Sequence, residues 1–306
     1  MAMQPMCKYC GKPVWGRYIT ALNAVWHPEH FLCAACHLPI DGSSFSVHEG
    51  QPYHSACFVE RVLPRCVYCN APLSGTFLVD AWGNKFCARH EQEYPTCEFC
   101  SRLIPPAQQE HSAGKLNSVR CPVCRARAIE TSEQARAAFA GVKRWVGSQG
   151  LTFNNLPLSL RLCDRDFLAK YGRALSQPHM LGVTLSTTQS MNGRERRTDI
   201  DGVAVLQDLP TPLFEGVVTH ELGHVWLIVQ AIKGLPTWAE EGFCELLAYR
   251  YHMQLNTPES RYHAENIANN PDPVYGDGFR GVRAIADRLG FQHLLETLRA
   301  TKKMPV

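Results

Sequence analysis

Two histidines and a glutamate in the segment Thr219–Trp226 have the types and the spacing of a metal-dependent hydrolase. His220, Glu221 and His224 form an HExxH pattern inside a run with helical periodicity. Four residues of helix bring a side chain back to nearly the same face, so both imidazoles can bind one metal ion while Glu221 stands beside it. In zinc hydrolases of this kind, the histidines bind the ion and the glutamate accepts a proton from the attacking water.

A catalytic zinc ion needs a third protein ligand, and the segment after the motif offers three carboxylates. Thr237 and Glu240 have the spacing of a capping box, which would commit Glu240 to the start of a second helix. Glu241 is then favoured as the third ligand, and Glu245, one turn further along, as a hydrogen-bond partner of a ligand histidine. Three alternatives stay open: Glu240 as the ligand, Glu245 as the ligand, or carboxylates that the helix dipole alone favours at this position.

The elements that must position the motif follow from periodicity and from capping residues. A helix with Thr211 as N-cap and an end near Lys233 carries both histidines. A strand directly before an HExxH helix is expected to edge the cleft and to hold an extended peptide. We therefore predict an α+β fold, with helices on one side of a small sheet. Upstream, the sequence predicts a helix over 132–147 with Ser132 as N-cap, strands over 158–162, 180–185 and 200–206, and a loop over 194–198.

Fourteen cysteines in a chain without a recognisable secretion signal indicate metal binding rather than disulfides. Twelve of them, together with four histidines, form eight pairs with two residues between the members, which is the spacing of a zinc knuckle. Cys163 and Cys244 are left over and are expected to pack as small apolar groups. Consecutive pairs give four structural sites, which with the HExxH site predict five Zn²⁺ per chain. The predicted structural ligands are Cys7, Cys10, His27 and His30; Cys33, Cys36, His54 and Cys57; Cys66, Cys69, Cys87 and His90; and Cys97, Cys100, Cys121 and Cys124.

The first two predicted zinc sites are separated by only two residues, so their fingers must pack as one unit. The pattern through Trp26–Cys33 and Tyr53–Cys57 resembles the LIM domain, with His30 where LIM domains usually have cysteine. Residues 63–128 resemble a second, divergent LIM-like module. The resemblance implies binding of partner proteins, and the alternative is a rigid structural cap on an enzyme. The predicted domains are therefore a LIM domain over 1–62, a LIM-like domain over 63–128 and a zinc metallopeptidase domain over 129–306.

Three further segments connect these modules with one family. Trp238–Phe243 resembles the W-x-x-E-G-F string of gluzincin peptidases, which places the third ligand at Glu241, and no H-x-x-G-x-x-H extension supports a metzincin. Taken with Pro273–Gly281, Lys303–Val306 and Pro52–Cys57, the whole arrangement resembles the DA-one family of plants. Members of that family are LIM-containing peptidases that restrict seed and organ growth.

The resemblance implies a zinc-dependent endopeptidase that acts on protein substrates, ubiquitin-pathway proteins among them. Ubiquitination activates the family's peptidases, but this chain begins almost at Cys7, so we expect a shorter member without ubiquitin-interacting helices. Tyr275 and Arg280 are candidates to stabilise the oxyanion, and their alternatives are a packed aromatic and a surface cation. The alternative function is a LIM adaptor with an inactive peptidase domain, against which Glu221 argues because zinc binding alone does not need it.

Charge and hydropathy disfavour two other classes of function. Lysine and arginine exceed aspartate and glutamate by 31 − 28 = 3, too few for a nucleic-acid or membrane footprint. The sequence contains neither a leader pattern nor an apolar run long enough for a membrane span. We therefore expect a cytoplasmic protein that binds neither nucleic acid nor membrane.

Overall fold

A computed structural model gives the fold and describes residues 4–41, 44–109, 119–171, 180–191 and 194–305. The chain forms two compact units, Met1–Tyr94 and Pro95–Val306. The boundary falls after the third set of predicted zinc ligands, inside the module predicted over 63–128. The division into three domains stays a prediction, and the two units are described separately below.

The Met1–Tyr94 unit consists of small antiparallel hairpins and short helices around a few buried side chains. Leu22 and Asn23 link the first two strands with φ of 54° and 57°, and Glu49 and Gly50 link the next two with φ of 49° and 75°. Two consecutive positive φ values are typical of the tight hairpin turns that match strand twist. The elements are β1 (Ile19–Ala21), β2 (Ala24–Trp26), β3 (Ser46–His48), β4 (Gln51–Tyr53), α1 (Ser55–Arg61), β5 (Leu78–Val79), β6 (Lys85–Phe86) and α2 (Arg89–Glu93).

The Pro95–Val306 unit combines a three-stranded sheet with a group of longer helices, which confirms the predicted α+β class. Its core is fully buried and aromatic at Phe214, Trp226, Phe243 and Phe279. The elements are α3 (Pro122–Ala126), α4 (Ser132–Ser148), β7 (Leu160–Cys163), α5 (Arg165–Ala169), β8 (Gly182–Met191), β9 (Arg194–Leu206), α6 (Thr211–Val229), α7 (Thr237–Leu255), α8 (Pro258–Ala268), α9 (Gly276–Leu289) and α10 (Phe291–Thr301).

The sheet corrects two predictions. Its order is β7-β9-β8, with β7 parallel and β8 antiparallel to β9. β9, the strand before the HExxH helix, is therefore central where it pairs with β7, over Val203–Leu206, and does not edge a cleft there. β7 and β8 are the two outer strands. The predicted loop over 194–198 is also wrong, because the backbone there pairs with β8 in one long hairpin. Cross-strand pairing overrides the charged composition at this point.

Both predicted helix starts are displaced by one residue. The N-cap of α4 is Thr131, whose hydroxyl accepts from the Gln134 amide in a capping box, rather than Ser132. The N-cap of α6 is Pro210, because the Thr211 amide and hydroxyl both donate to the Arg127 carbonyl, at 2.9 and 3.0 Å. The start of α6 is thus held by a tertiary contact instead of a local cap.

Candidate active site and metal centres

The HExxH residues lie on the buried helix α6, as the motif predicts. His220 and His224 sit one turn apart, with ring centroids 5.0 Å apart and their Nε2 atoms 3.2 Å apart. Val218, Leu222 and Val225 of the same helix are fully buried, so the backbone that carries the imidazoles is fixed on several sides. Such a scaffold presents both ligands without a large loss of conformational entropy on metal binding.

Glu241 on α7 completes a triangle with the two imidazoles. Its Oε2 atom lies 3.2 Å from the Nε2 atom of His220 and 3.4 Å from that of His224. Ligands about 2.0–2.1 Å from a tetrahedral zinc ion are separated by about 3.3–3.4 Å, so these three edges have the size that the ion requires. Glu241 Oε2 is also buried and has no hydrogen-bond partner among the described residues. The two imidazoles and the carboxylate therefore fit three of the four ligand positions of a tetrahedral Zn²⁺.

The other two carboxylates of α7 orient the histidines. Glu245 Oε1 lies 3.1 Å from Nδ1 of His220, and Glu240 Oε1 lies 3.2 Å from Nδ1 of His224. A donated Nδ1 proton leaves the Nε2 lone pair free for a metal. The role predicted for Glu245 agrees with this geometry. The predicted Thr237–Glu240 capping box is absent from the start of α7, because Glu240 turns to His224 instead.

The electrostatics of this cluster follow from buried charges of opposite sign. Burial opposes protonation of His220, but the nearby carboxylates of Glu241 and Glu245 outweigh it and raise the pKa well above its usual range. For Glu241, burial favours the neutral acid, yet both imidazoles together lower the pKa of the carboxyl group. A metal ion must displace the protons that these histidines would otherwise hold, so metal affinity falls as pH falls.

Glu221, the predicted base, is 6% exposed and is held by a residue that sequence reasoning missed. Thr184 on the outer strand β8 donates its hydroxyl to Glu221 Oε2 at 2.8 Å, and the same hydroxyl lies 3.1 Å from the Glu221 carbonyl oxygen. Gly182 lets this strand approach, since a Cβ there would meet Val217 at 2.6 Å and Glu221 at 3.1 Å. Thr184 has no sequence pattern that distinguishes it from the other threonines of β8.

The two oxyanion candidates separate in the structure. The Tyr275 ring, at the start of α9, lies 6.4 Å from the His220 ring, so it belongs to the same region of the molecule. Arg280 donates to the carbonyl oxygens of Ala268 and Asn270, at 3.1 and 2.9 Å, and thus caps the end of α8. Arg280 is therefore a structural cation, as its alternative interpretation held.

Cys244 packs as a small buried group, as expected, and its neighbours are the two HExxH histidines. It is fully buried, and its Sγ atom lies in one cluster with ring nitrogens of His220 and His224, all within 4.8 Å of one another. A Cβ on Gly223 would meet this sulfur at 2.8 Å. The thiol packs as a small group, but it does so against the metal-ligand histidines.

All four predicted structural zinc sets come together as tetrads, each with its ligand atoms within 4.8 Å of one another. Every tetrad begins with the same knuckle, in which the first cysteine's carbonyl accepts from the amide four residues on. The residue at that position has positive φ: Gly11 (67°), His37 (60°), Asn70 (57°) and Ser101 (57°). This repeated turn explains how two cysteines with two intervening residues can face one ion.

The comparisons with known proteins agree with this arrangement. The LIM domain family matches residues 7–62, and the DA1-like family, described as Protein DA1, matches residues 173–260. The chain therefore contains a LIM domain and a region similar to the DA1-like family. The DA1-like match includes His220, Glu221, His224 and Glu241. The third and fourth tetrads lie outside both matched stretches.

Two curated plant relatives align with nearly the whole chain. Protein DA1 of Arabidopsis thaliana is 26% identical over 98% of this chain and 68% of its own length. LIM domain-containing protein HDR3 of Oryza sativa subsp. japonica is 25% identical over 95% of this chain and 72% of its own. Among the described helices, none combines the length and apolar character that a bilayer-spanning segment requires.

The fourth tetrad differs from the others in its surroundings. All four of its cysteines are buried, whereas each of the other tetrads has two or more partly exposed ligands. Directly after it, Ile129 pairs with the segment before α6: its amide donates to the Leu209 carbonyl at 2.9 Å, and the Asp208 amide donates to the Ile129 carbonyl at 2.9 Å. Ser101 of its knuckle also hydrogen-bonds Tyr262 of α8 at 2.6 Å. This tetrad is thus an integral part of the unit that carries the HExxH helix.

Proposed function

We propose that the protein is a zinc-dependent endopeptidase that hydrolyses internal peptide bonds of protein substrates. The observation that carries this proposal is the triangle of His220, His224 and Glu241, with the buried Glu221 directly after His220 on the same helix. Two imidazoles and a carboxylate at the separations of a zinc site, with a fourth position open, are typical of catalytic rather than structural centres. When bound there, zinc would supply the Lewis acidity that activates water and polarises a carbonyl group.

The remaining steps belong to side chains of this chain. Glu221 would accept the proton of the attacking water and return it to the leaving amine. The Thr184 hydroxyl directs one oxygen of that carboxylate and leaves the other for the reaction. Glu240 and Glu245 keep both imidazoles in the tautomer that binds metal. Tyr275 is the candidate to donate to the developing oxyanion, since its ring lies near His220.

We further propose five zinc ions per chain, one catalytic and four structural, and partner recruitment through the first unit. Several large side chains around its first finger are exposed, among them Tyr9 (63%), Trp15 (74%) and Tyr18 (53%). Exposed aromatic groups of this kind are enriched in protein–protein interfaces. Candidate substrates and partners in the cytoplasm include ubiquitin-pathway proteins, as the family resemblance suggests.

The test compares new protein N-termini in a cell lysate treated with the parent protein or with Glu221→Gln. Terminal-amine labelling and mass spectrometry should find cleavage sites with the parent alone, and their flanking residues give the sequence preference. If neither sample yields new N-termini while the HExxH cluster is loaded with zinc, the chain acts as an adaptor and not as a peptidase.

A further inference from the structure

A cavity lies against the first turn of α7, which contributes Trp238 to its lining. It encloses about 850 Å³, within the range that holds a small ligand or a peptide side-chain cluster. Its walls come from the connection between α6 and α7, from the last turns of α9 and from the residues after α10. None of the proposed zinc ligands lines it.

The wall of this cavity is apolar. Leu235, Ile285 and Met304 contribute aliphatic surface, and the Trp238 side chain closes one side while remaining 41% exposed. An exposed tryptophan beside aliphatic groups is a frequent anchor point for a partner's side chain. The cavity therefore favours an occupant with a bulky apolar group.

The rim of the cavity has one sign of charge. Lys233, Arg288, Lys302 and Lys303 all border it, and none of the described lining residues is acidic. Lys302 donates its Nζ to the Gln230 carbonyl at 2.7 Å, which fixes this cation at the end of α6. The summed positive charge of the rim would attract an acidic ligand. This positive charge is locally concentrated, since the net charge of the whole chain is only +3.

The cavity is built on a rigid helix crossing. α7 and α9 approach so closely that a Cβ on Gly242 would meet the Gly278 backbone at 2.3 Å, and one on Gly281 would meet the Trp238 ring at 3.4 Å. Trp238 precedes Glu241 by three residues, or about 4.5 Å along the helix axis. An occupant that contacts Trp238 thus binds within one helical turn of the proposed zinc ligand.

We propose that this cavity is a docking site for an acidic peptide segment whose apolar side chain inserts against Trp238 and Ile285. The basic rim favours acidic residues in the bound peptide, and the apolar wall favours a bulky apolar side chain between them. This site goes beyond the proposed hydrolysis, because binding here requires neither the metal nor a scissile bond.

Fluorescence anisotropy with the full-length, zinc-loaded Glu221→Gln protein tests the proposal without cleavage of the probe. The probe is a short labelled peptide with a Leu-Phe pair flanked by glutamates. Matched peptides replace either the glutamates with glutamine or the apolar pair with serine. We expect binding of the first peptide alone, and weaker binding as ionic strength rises.

Two charge reversals locate the site. The pair Lys233→Glu and Lys303→Glu should weaken binding about tenfold or more, which corresponds to about 1.4 kcal/mol. Arg144→Glu, on the exposed face of α4, should leave it unchanged. Unaltered binding in the double variant, or equal binding of the glutamine peptide, would overturn the proposal. Phosphatidylserine vesicles that bind instead of the peptide, and lose binding in the double variant, would overturn a peptide as the occupant. Because this assay measures no proteolysis, a negative result leaves the proposed peptidase activity untouched.

Discussion

The three tetrads of the first unit and the Cys₄ tetrad of the second unit share one local knuckle but differ in what surrounds them. In the first unit, the tetrad that contains Cys33 packs against a small core around Phe31 and Ile40. Most zinc-ligand candidates of this unit remain partly exposed. In the second unit, all four cysteines are buried in a domain that already has a large aromatic core. The same ligand spacing therefore serves two structural purposes.

The difference shows what a structural metal can do in each context. In a small module, the ion replaces a core that the chain is too short to build. In the second unit, the tetrad leads directly into Arg127 and Ile129, which hold the segment at the start of α6. A metal ion bound there would help to position the helix that carries His220 and His224, so its loss should affect the proposed catalysis as well as stability.

The strongest test of this comparison removes one ligand from each type of tetrad. Structural zinc sites contribute about 10–16 kcal/mol in small peptides, so either loss should unfold the surrounding region. Hydrogen exchange on the full chain should show lost protection within 1–94 for Cys33→Ser, and at the start of α6 for Cys121→Ser. Only Cys121→Ser should reduce metal binding by the HExxH cluster. If the amides of α6 stay fully protected from exchange in Cys121→Ser, the fourth tetrad does not position that helix.

A second prediction separates the closed tetrads from the open three-donor cluster. Glu221→Gln removes the base without removing a ligand, so proteolysis should fall about 10²–10⁴-fold. Zinc content and the unfolding temperature should stay at the parent values. Glu296→Gln, an exposed carboxylate on α10, is the matched control. Equal activity of Glu221→Gln and the parent would contradict the assigned role.

A third prediction concerns the pH dependence of the second unit, which buries His252 and His263. Burial lowers the pKa of His252 to about 3 and that of His263 to about 4. The unfolded pKa is about 6.5, so the unfolded chain binds these protons at a higher pH than the folded chain does. The stability that is present above pH 6.5 is therefore lost as pH falls, down to about pH 4 for His263 and about pH 3 for His252. Each histidine should reduce the free energy of unfolding by about 2 kcal/mol at pH 5.

Chemical denaturation as a function of pH measures this effect, and the difference between variants removes the contribution of the zinc ligands. His263→Gln should show a shallower pH slope than the parent. The exposed His293, replaced in His293→Gln, is the control and should leave the slope unchanged. An identical slope in all three proteins would show that these histidines do not titrate on unfolding.

The smallest predicted effect belongs to Thr184, which positions Glu221. Thr184→Val removes one hydrogen bond of about 1 kcal/mol to a buried carboxylate, so kcat should fall about fivefold. Thr184→Ser keeps the hydroxyl and should restore most of the rate. Rescue by the variant that keeps the hydroxyl distinguishes this role from simple packing, and the loss should appear in kcat rather than in KM. Equal kcat values for both variants would exclude a positioning role.

The parts that the sequence predicted depend on local spacing. His220 and His224 share a face because of helix geometry, and the paired cysteines face one ion because the knuckle is formed within five residues. The parts that it missed depend on tertiary contacts. Glu240 contacts His224 instead of forming the expected capping box. β9 is the central strand because β7 and β8 pair with it on either side. No local pattern distinguishes these outcomes.

Native mass spectrometry of the full chain tests the central claim most directly, since it counts ions that serve different purposes. The parent should carry five zinc ions, His224→Ala four, and Glu221→Gln five. Four ions in the parent, unchanged in His224→Ala, would mean that the triangle of His220, His224 and Glu241 holds no metal and that the proposed peptidase centre is wrong.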